Sequence, residues 1–440
     1  MRVPTLTRTS TKQKPQIIAY SGLNRQSIIS DTEISDGLNL SFKDYPCVSN
    51  RPPRTTVYTL TAPHSMGLVG DKIGFVDGTN YKVDNVTKGT VAASDKCFVD
   101  LNDKILILPD WKTWDYVTNT FATVTTGTFP TPGAKPLITI ACVHNNRIFG
   151  CKNNSIYACK RGDMTDWTTV SDALGRPFST SAYWIDWDSE GGYFTAITSY
   201  SNHVVVWKNA YMYELYNVNP PYQIQRVNKV GCLNNKAFAE VNSVLYFASN
   251  QGIHAYTGGV PRLISQRLNA VYTNATLGTD GKMLYCSLYD GTAWELLVYD
   301  TERDRWMPED DIHITDFIRI GTSCYALDST GAIRRFNYGT EAGIVWNLET
   351  KDFTSDVFNK KSVNKIRNRF DLEDGSSATV YIAIDGQPYK EIGSYTGSGL
   401  TTHECLTRIR RCDRFKLKFE VKGNAVIYAT QFEYYVGEDG

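Results

Sequence analysis

Residues 144–167, HNNRIFGCKNNSIYACKRGDMTDW, decide the fold. A polar turn at Asn145 and Asn146 leads into residues 147–151, and a second turn at residues 152–154 leads into residues 155–159. Short β-prone runs between Asn- and Gly-rich turns are typical of adjacent hairpin strands. One such unit cannot bury both of its faces, so we expect it to be repeated along the chain.

Turn-plus-strand units of this kind recur seven times. They begin at Gly70, Asn102, Asn145, Asn202, Asn242, Asp280 and Gly321, which are 32, 43, 57, 40, 38 and 41 residues apart. An aromatic second strand usually follows after one turn, and Trp114, Trp167 and Trp306 are interpreted as closing their units. A period near 40 residues with about four short strands per unit is typical of β-propeller blades. The sequence therefore predicts an all-β propeller of six to eight blades, with seven the best match and an irregular array of hairpins the alternative.

The chain divides into three predicted segments. Residues 1–54 form an N-terminal arm with leading strands, residues 55–344 form the propeller, and residues 345–440 form a C-terminal β-sandwich or jelly roll. Tight polar–apolar alternation, as in residues 414–420, supports the sandwich. The first 14 residues carry Lys and Arg without acids and read as a mobile basic arm. We also raise the hypothesis that residues 1–54 close the last blade by strand exchange.

Bulk composition restricts location and partners. Lys plus Arg and Asp plus Glu both number 46, so net charge draws the chain neither to nucleic acid nor to a membrane. No run of about 18 apolar residues and no signal-peptide core is seen, which predicts synthesis in the cytoplasm without membrane insertion. Ten cysteines without a C-x-x-C pair predict free, buried thiols.

No motif for catalysis or cofactor binding stands in a suitable context. Asp186, Asp188 and Glu190 are close in sequence, but we interpret them as a solvated loop rather than as a glycosidase carboxylate pair. The acidic run at residues 309–311 is interpreted as an exposed turn. The prediction is a protein without enzymatic activity, cofactor or metal.

The densest charged stretch lies near the C-terminus. It contains Arg408, Arg410, Arg411, Arg414, Lys416 and Lys418. In a strand Arg408 and Arg410 would share one face, and Arg414, Lys416 and Lys418 would share one face. Three interpretations stay open: a charged edge strand that blocks unwanted pairing, a subunit interface, or a DNA-facing surface. The same three interpretations stay open for Arg51 and Arg54.

Two stretches carry a family resemblance. The first contains Ser21-Gly22-Leu23-Asn24, the acidic residues Asp31, Glu33 and Asp36, the run Leu38-Asn39-Leu40, and Arg51-Pro52-Pro53-Arg54. The second is residues 410–417, Arg-Arg-Cys-Asp-Arg-Phe-Lys-Leu. Together they resemble the nozzle or packaged-DNA stabilisation proteins of tailed bacteriophages, with Pro where the family has Gly after the first Arg-Pro.

The resemblance implies a structural virion protein of the phage tail. Such a protein would form a homo-oligomeric ring, a hexamer, below the portal and adaptor, where it contacts other tail proteins. It would help to retain packaged DNA and would form the DNA exit channel. The alternative is a receptor- or carbohydrate-binding tail protein, for which Tyr211, Tyr213, Tyr216 and Tyr222 beside Pro220-Pro221 could stack on sugars.

Overall fold

A computed structural model describes residues 11–124, 135–167, 174, 180–187, 190–216, 220–354 and 360–436. This part of the chain is all β, with a single 3₁₀ turn at Gln266–Leu268 and no α-helix. Within it, no helix is long and apolar enough to span a bilayer.

Six short strands precede the first repeat. They are β1 (Thr11–Gln13), β2 (Gln16–Ile17), β3 (Ile34–Leu38), β4 (Leu40–Ser41), β5 (Val48–Asn50) and β6 (Arg54–Thr59).

The repeat region then contributes seven groups of strands. The first three groups are β7 (Pro63–Val69), β8 (Lys72–Asp77), β9 (Asn80–Val83) and β10 (Val86–Thr90); β11 (Cys97–Leu101), β12 (Lys104–Leu108), β13 (Lys112–Asp115) and β14 (Thr120–Thr123); and β15 (Ile140–His144), β16 (Arg147–Lys152), β17 (Ser155–Ala158) and β18 (Tyr183–Asp186). The next two are β19 (Phe194–Tyr200), β20 (His203–Lys208), β21 (Tyr211–Tyr216) and β22 (Gln223–Asn228); and β23 (Phe238–Val241), β24 (Val244–Ser249), β25 (Gly252–Tyr256) and β26 (Arg262–Leu263). The last two are β27 (Asn274–Thr279), β28 (Met283–Tyr289), β29 (Trp294–Asp300) and β30 (Arg305–Asp310); and β31 (Ile314–Ile320), β32 (Ser323–Asp328) and β33 (Ala332–Phe336).

Seven strands complete the chain. They are β34 (Val345–Thr350), β35 (Lys361–Leu372), β36 (Ser377–Ile384), β37 (Lys390–Thr396), β38 (Gly399–Cys412), β39 (Phe415–Lys422) and β40 (Ala425–Val436).

The repeat region forms seven four-stranded antiparallel sheets, which confirms the predicted propeller and its best-match blade number. Blades 1 to 6 each take four consecutive strands, from β7–β10 to β27–β30, and blade 7 is β31-β32-β33-β6. First strands of neighbouring blades contact one another, as β27 contacts β31 and β31 contacts β7, so these strands surround the axis.

Each of the seven predicted units is the second strand of one blade with its preceding turn. This strand packs against neighbouring blades on both faces, so it reads as a continuous apolar run, and β20 is buried throughout. Left-handed pairs such as Asn102-Asp103 and Asn145-Asn146 form the tight turns before it. The interpretation of Trp114 and Trp167 as unit ends is wrong. Trp114 lies in the third strand of blade 2 and β14 follows it, and Trp167 precedes β18, the last strand of blade 3.

The ring of blades is closed by a strand from outside the repeat. Strand β6 pairs antiparallel with β33, with Arg54 opposite Phe336 and Thr59 opposite Ala332. The closing strand thus comes from the N-terminal side of the repeat, as in the strand-exchange hypothesis, although most of it follows residue 54.

The remaining strands form a two-sheet sandwich. One sheet has the order β38-β35-β40-β5-β4, with β1 and β2 also paired to β40, and the other has the order β3-β34-β39-β36-β37. A single core joins the two sheets, in which Val48 and Ile34 from the N-terminal side pack with Phe370, Phe415 and Phe419. The leading strands β1–β5 therefore belong to the same sheets as the C-terminal strands.

Candidate functional site

The predicted basic stretch spans the end of β38, a turn, and the start of β39. Arg408, Arg410 and Arg411 lie on β38, and all three are exposed. Strand β38 has 14 residues and ends its sheet, because β35 on one side is its only sheet partner among the described strands. A long edge strand presents unpaired backbone N–H and C=O groups along its outer side.

Two bulges explain why all three arginines face solvent. Val363 pairs with Ile409 while Lys365 pairs with Leu406, and Lys361 pairs with Cys412, so β38 carries one extra residue in each interval. Arg408 has the left-handed φ of 52° that accompanies the first irregularity. Ile409 packs on the core and Cys412 is buried, which leaves both residues between them exposed.

Arg414, Lys416 and Lys418 form a different surface. Lys416 Nζ lies 2.7 Å from Glu349, and Lys418 Nζ lies 2.8 Å from Glu420. Arg414 approaches Asp352 at 3.8 Å. The alternation of β39 is as predicted, since Phe415, Leu417 and Phe419 are buried and both lysines point away from the core. Acidic neighbours therefore offset the charge of β39.

Apolar side chains accompany the arginines on β38. Leu406 is 62% exposed and Leu400 is 46% exposed. Arginine is enriched at protein interfaces, and exposed apolar side chains beside it offer surface that a partner could bury. We name the outer side of β38, with Leu400, Leu406, Arg408, Arg410 and Arg411, the Arg–Leu edge.

Arg51 and Arg54 do not lie on a free surface; they lie where the chain passes from the sandwich into the propeller, a region that we name the joint. Arg54 is 3% exposed, donates to Asp310 Oδ2 at 2.6 Å and to Glu309, and places its guanidinium 4.4 Å from the ring centre of Phe336. Arg51 makes a bidentate pair with Glu341 at 2.7 and 2.8 Å. Arg54 therefore ties the closing strand β6 to blade 6, and Arg51 ties together the two chain segments that connect the propeller with the sandwich.

The interpretation of residues 309–311 as an exposed acidic turn is wrong for its first two members. Glu309 and Asp310 end β30, and their side chains are only 7% and 10% exposed because they receive Arg54. Burial raises the pKa of Glu309, and the nearby guanidinium of Arg54 opposes that rise.

The Gly22-Leu23-Asn24 turn belongs to the same joint. Leu23 N donates to Trp306 O at 2.7 Å, and Asn24 N donates to Ile34 O at 2.8 Å. Gly22 has a φ of 96°, and a Cβ there would stand 2.8 Å from Trp306 O. The N-terminal stretch that carries the family resemblance thus docks β3 onto blade 6.

The described part of the predicted basic arm is bound to the sandwich. Thr11–Gln13 pairs with β40, and Glu433 lies 2.7 Å from Lys12 and 3.7 Å from Lys14. Residues 1–10 lie outside the described residues. The prediction of a mobile arm is wrong for residues 11–13, because they form a strand.

The acidic loop and the tyrosines considered for sugar chemistry lie apart from the Arg–Leu edge. Glu190 accepts from Tyr213 and from Arg226 at 2.8 Å, Asp186 ends β18, and Asp188 lies outside the described residues. Tyr213 and Tyr222 are buried in the core between blades 3 and 4, while Tyr211 and Tyr216 are half-buried. The two buried rings are blade packing.

Comparisons with known proteins add similarity of architecture. A scan against protein-family models finds no match, and a search of curated proteins finds no relative. Similar solved structures include the extracellular domain of a one-component system from B. thetaiotaomicron (10% identity, TM-score 0.47), which covers 67% of this chain and 41% of that one. A second is an inactive virginiamycin B lyase from Staphylococcus aureus with quinupristin (12% identity, TM-score 0.38), which covers 75% of this chain and 100% of that one. A third is an exo-β-1,3-galactanase from Phanerochaete chrysosporium with galactose (8% identity, TM-score 0.26), which covers 66% of this chain and 95% of that one. Likenesses this distant carry no argument about activity.

Proposed function

We propose that this protein is a structural, non-enzymatic subunit of a bacteriophage tail. In this proposal it forms a homo-oligomeric ring, a hexamer, below the portal and adaptor. The ring helps to retain packaged DNA and lines its exit path, so the protein acts in the virion after synthesis in the host cytoplasm.

The observation that carries the proposal is the different location of the two family-like stretches in the fold. The N-terminal one docks on blade 6 beside Gly22, and through Arg51 and Arg54 it holds the joint and the closing strand β6. The C-terminal one begins in the Arg–Leu edge, which has no strand partner within the described residues. One stretch thus makes a stiff subunit, and the other offers that subunit a surface for the next copy.

A ring of identical subunits needs a heterologous contact, in which one surface meets a different surface of its neighbour. The Arg–Leu edge suits one half of this contact because it combines backbone groups, exposed leucines and cations on one element. The balance of 46 basic and 46 acidic residues suits a channel wall. Cationic contacts to each phosphate would add up along DNA and oppose its release.

Charge reversal on the edge tests the proposal. Native mass spectrometry and sedimentation of the full chain, alone and with a portal–adaptor complex, should detect rings for the wild type. Arg408→Glu with Arg410→Glu should shift the protein to monomer, because a neighbouring surface that is complementary to arginines would then face like charges, at a cost of several kcal/mol. Lys72→Glu with Lys152→Glu changes the net charge equally at exposed propeller positions and should leave rings intact. A wild type that stays monomeric under both conditions, or equal behaviour of the two double variants, would refute the proposal.

A further inference from the structure

A cavity of about 790 Å³ opens at the end of the propeller where the innermost strands begin. Six of the seven blades contribute to its wall, through Met66, Phe98, Ile140, Lys236, Thr276 and Asp316. Only the propeller axis is shared by so many blades, so the cavity is axial. Its volume lies within the roughly 300–1,000 Å³ of small-molecule sites.

Asp316 supplies the most specific polar group of this axial cavity. The residue is 6% exposed, and its Oδ1 accepts from Lys236 Nζ at 2.9 Å. Its Oδ2 is buried without a hydrogen-bond partner. The neighbouring Thr315 hydroxyl donates to Leu327 O at 3.2 Å. A buried acceptor without a donor is costly, and a ligand hydroxyl would satisfy it.

Aromatic rings form an adjoining part of the wall. Trp294 and His313 both line the cavity and stack with ring centres 3.7 Å apart and planes 13° apart. Tyr289 lies 5.1 Å from Trp294 and supports it. Burial and nearby Lys236 lower the pKa of His313, which favours a neutral imidazole at neutral pH. A rigid, uncharged aromatic surface beside a hydrogen-bond acceptor suits a ring with one apolar face and hydroxyls on its rim.

The charges of the wall disfavour an anionic ligand. Lys96 Nζ is held by Asp110 at 3.0 Å and by Ser94 at 2.6 Å, and Lys236 is held by Asp316. Each lysine of the described wall therefore already has a carboxylate. Asn235 Oδ1 accepts a hydrogen bond from Ile197 N at 3.1 Å, which fixes the neutral side-chain amide of Asn235 in the cavity wall.

We propose that the axial cavity binds a neutral saccharide. One pyranose ring packs against the Trp294–His313 wall, and one of its hydroxyls donates to Asp316 Oδ2. This site is separate from the Arg–Leu edge and does not depend on ring assembly, so either proposal can fail without the other. It also offers the carbohydrate-binding alternative a location other than the tyrosines of blade 4.

Saturation-transfer NMR on the full chain tests this site. The probes are glucose, galactose, mannose, N-acetylglucosamine and the β-1,4-linked disaccharide of each, with tetramethylammonium as a cationic competitor. We expect transfer to the ring protons of at least one saccharide and no displacement by the cation. Absence of transfer to all eight saccharides, or displacement by tetramethylammonium, would overturn the proposal.

Variants assign the binding to the cavity. Asp316→Asn keeps the size of the side chain but removes the charged acceptor, and Trp294→Ala removes the aromatic wall; each should weaken binding about tenfold or more. Trp184→Ala removes a 47% exposed tryptophan from β18, away from the cavity, and should bind like the wild type. Circular dichroism identifies any variant that fails to fold. If Trp294→Ala fails to fold, Asp316→Asn still tests the site. Unchanged affinity in Asp316→Asn would contradict the proposed contact.

Discussion

Replacing Arg54 by Ala should release the strand that closes the propeller. Arg54 begins β6 and reaches Glu309 and Asp310 at the end of β30, so it connects the closing strand to blade 6. Its removal leaves two carboxylates that are 10% exposed or less without their cation. Breaking a buried ion pair in this way costs about 3–5 kcal/mol. Loss of the contact with Phe336 adds about 0.5–2 kcal/mol.

Hydrogen exchange measured by mass spectrometry detects this loss of stability in the strands that lose the contact. A loss of about 3–5 kcal/mol should speed exchange of the β6 and β33 amides by roughly two to four powers of ten. Arg367→Ala is the matched control, because Arg367 also pairs with a carboxylate, Glu404, but both side chains are at least 40% exposed. Glu404 keeps Lys365 at 2.6 Å after that change, so the control should cost about 0–1 kcal/mol.

The pH dependence gives a second readout of the same contact. The pKa of Glu309 is raised by burial, so the folded state holds this proton more firmly than the unfolded state does. Stability linked to such a group is present at low pH and is lost as pH rises through the folded pKa. Without Arg54 that loss grows, so the gap between Arg54→Ala and the wild type should be wider at about pH 8 than at about pH 5. Exchange rates in Arg54→Ala within the range of the Arg367→Ala control would refute the reasoning.

Three further predictions concern the joint, the closing strand and the axial cavity. Gly22→Ala should lower the melting temperature, because its Cβ would stand 2.8 Å from Trp306 O. Gly259 also has a positive φ but no neighbour within 4 Å of the added Cβ, so Gly259→Ala should lower the melting temperature less. Equal shifts would exclude the contact with Trp306 as the cause. Deleting residues 1–59 should lower the melting temperature strongly, because it removes β6 and the strands that complete the sandwich, and an unchanged melting curve would rule out closure by β6. Burial raises the pKa of Asp316 to about 6, so the stability that this carboxyl contributes when protonated is lost as pH rises through about 6. Asp316→Asn should therefore gain stability relative to the wild type across that range in melting curves, and a pH-independent difference would contradict the raised pKa.

The blades were predictable because their signals are local. A tight turn such as Asn145-Asn146 and the buried run that follows lie within a dozen residues, and both recur at a near-constant period. Blade number follows from counting these units. Alternation likewise predicted the faces of β39, where the pattern of period two is unbroken.

The joint was not predictable, because its partners are distant in sequence. Arg54 and Glu309 are 255 residues apart, and a run of acids at residues 309–311 looks like a solvated turn until its cation is known. Strands β1, β2, β3 and β5 pair with C-terminal strands, and β4 pairs with β5. The bulges of β38 break the period of two, so alternation alone could not place Arg411 on the same side as Arg410. The axial cavity is assembled from six blades and has no local motif.

Electron microscopy of the purified full chain mixed with a purified portal–adaptor complex tests the proposed assembly most directly. The account predicts closed rings of this protein, stacked on the portal–adaptor complex around a continuous channel, with the sandwich domains in contact with neighbouring subunits. Folded, monodisperse monomers that leave the portal–adaptor complex bare would contradict it.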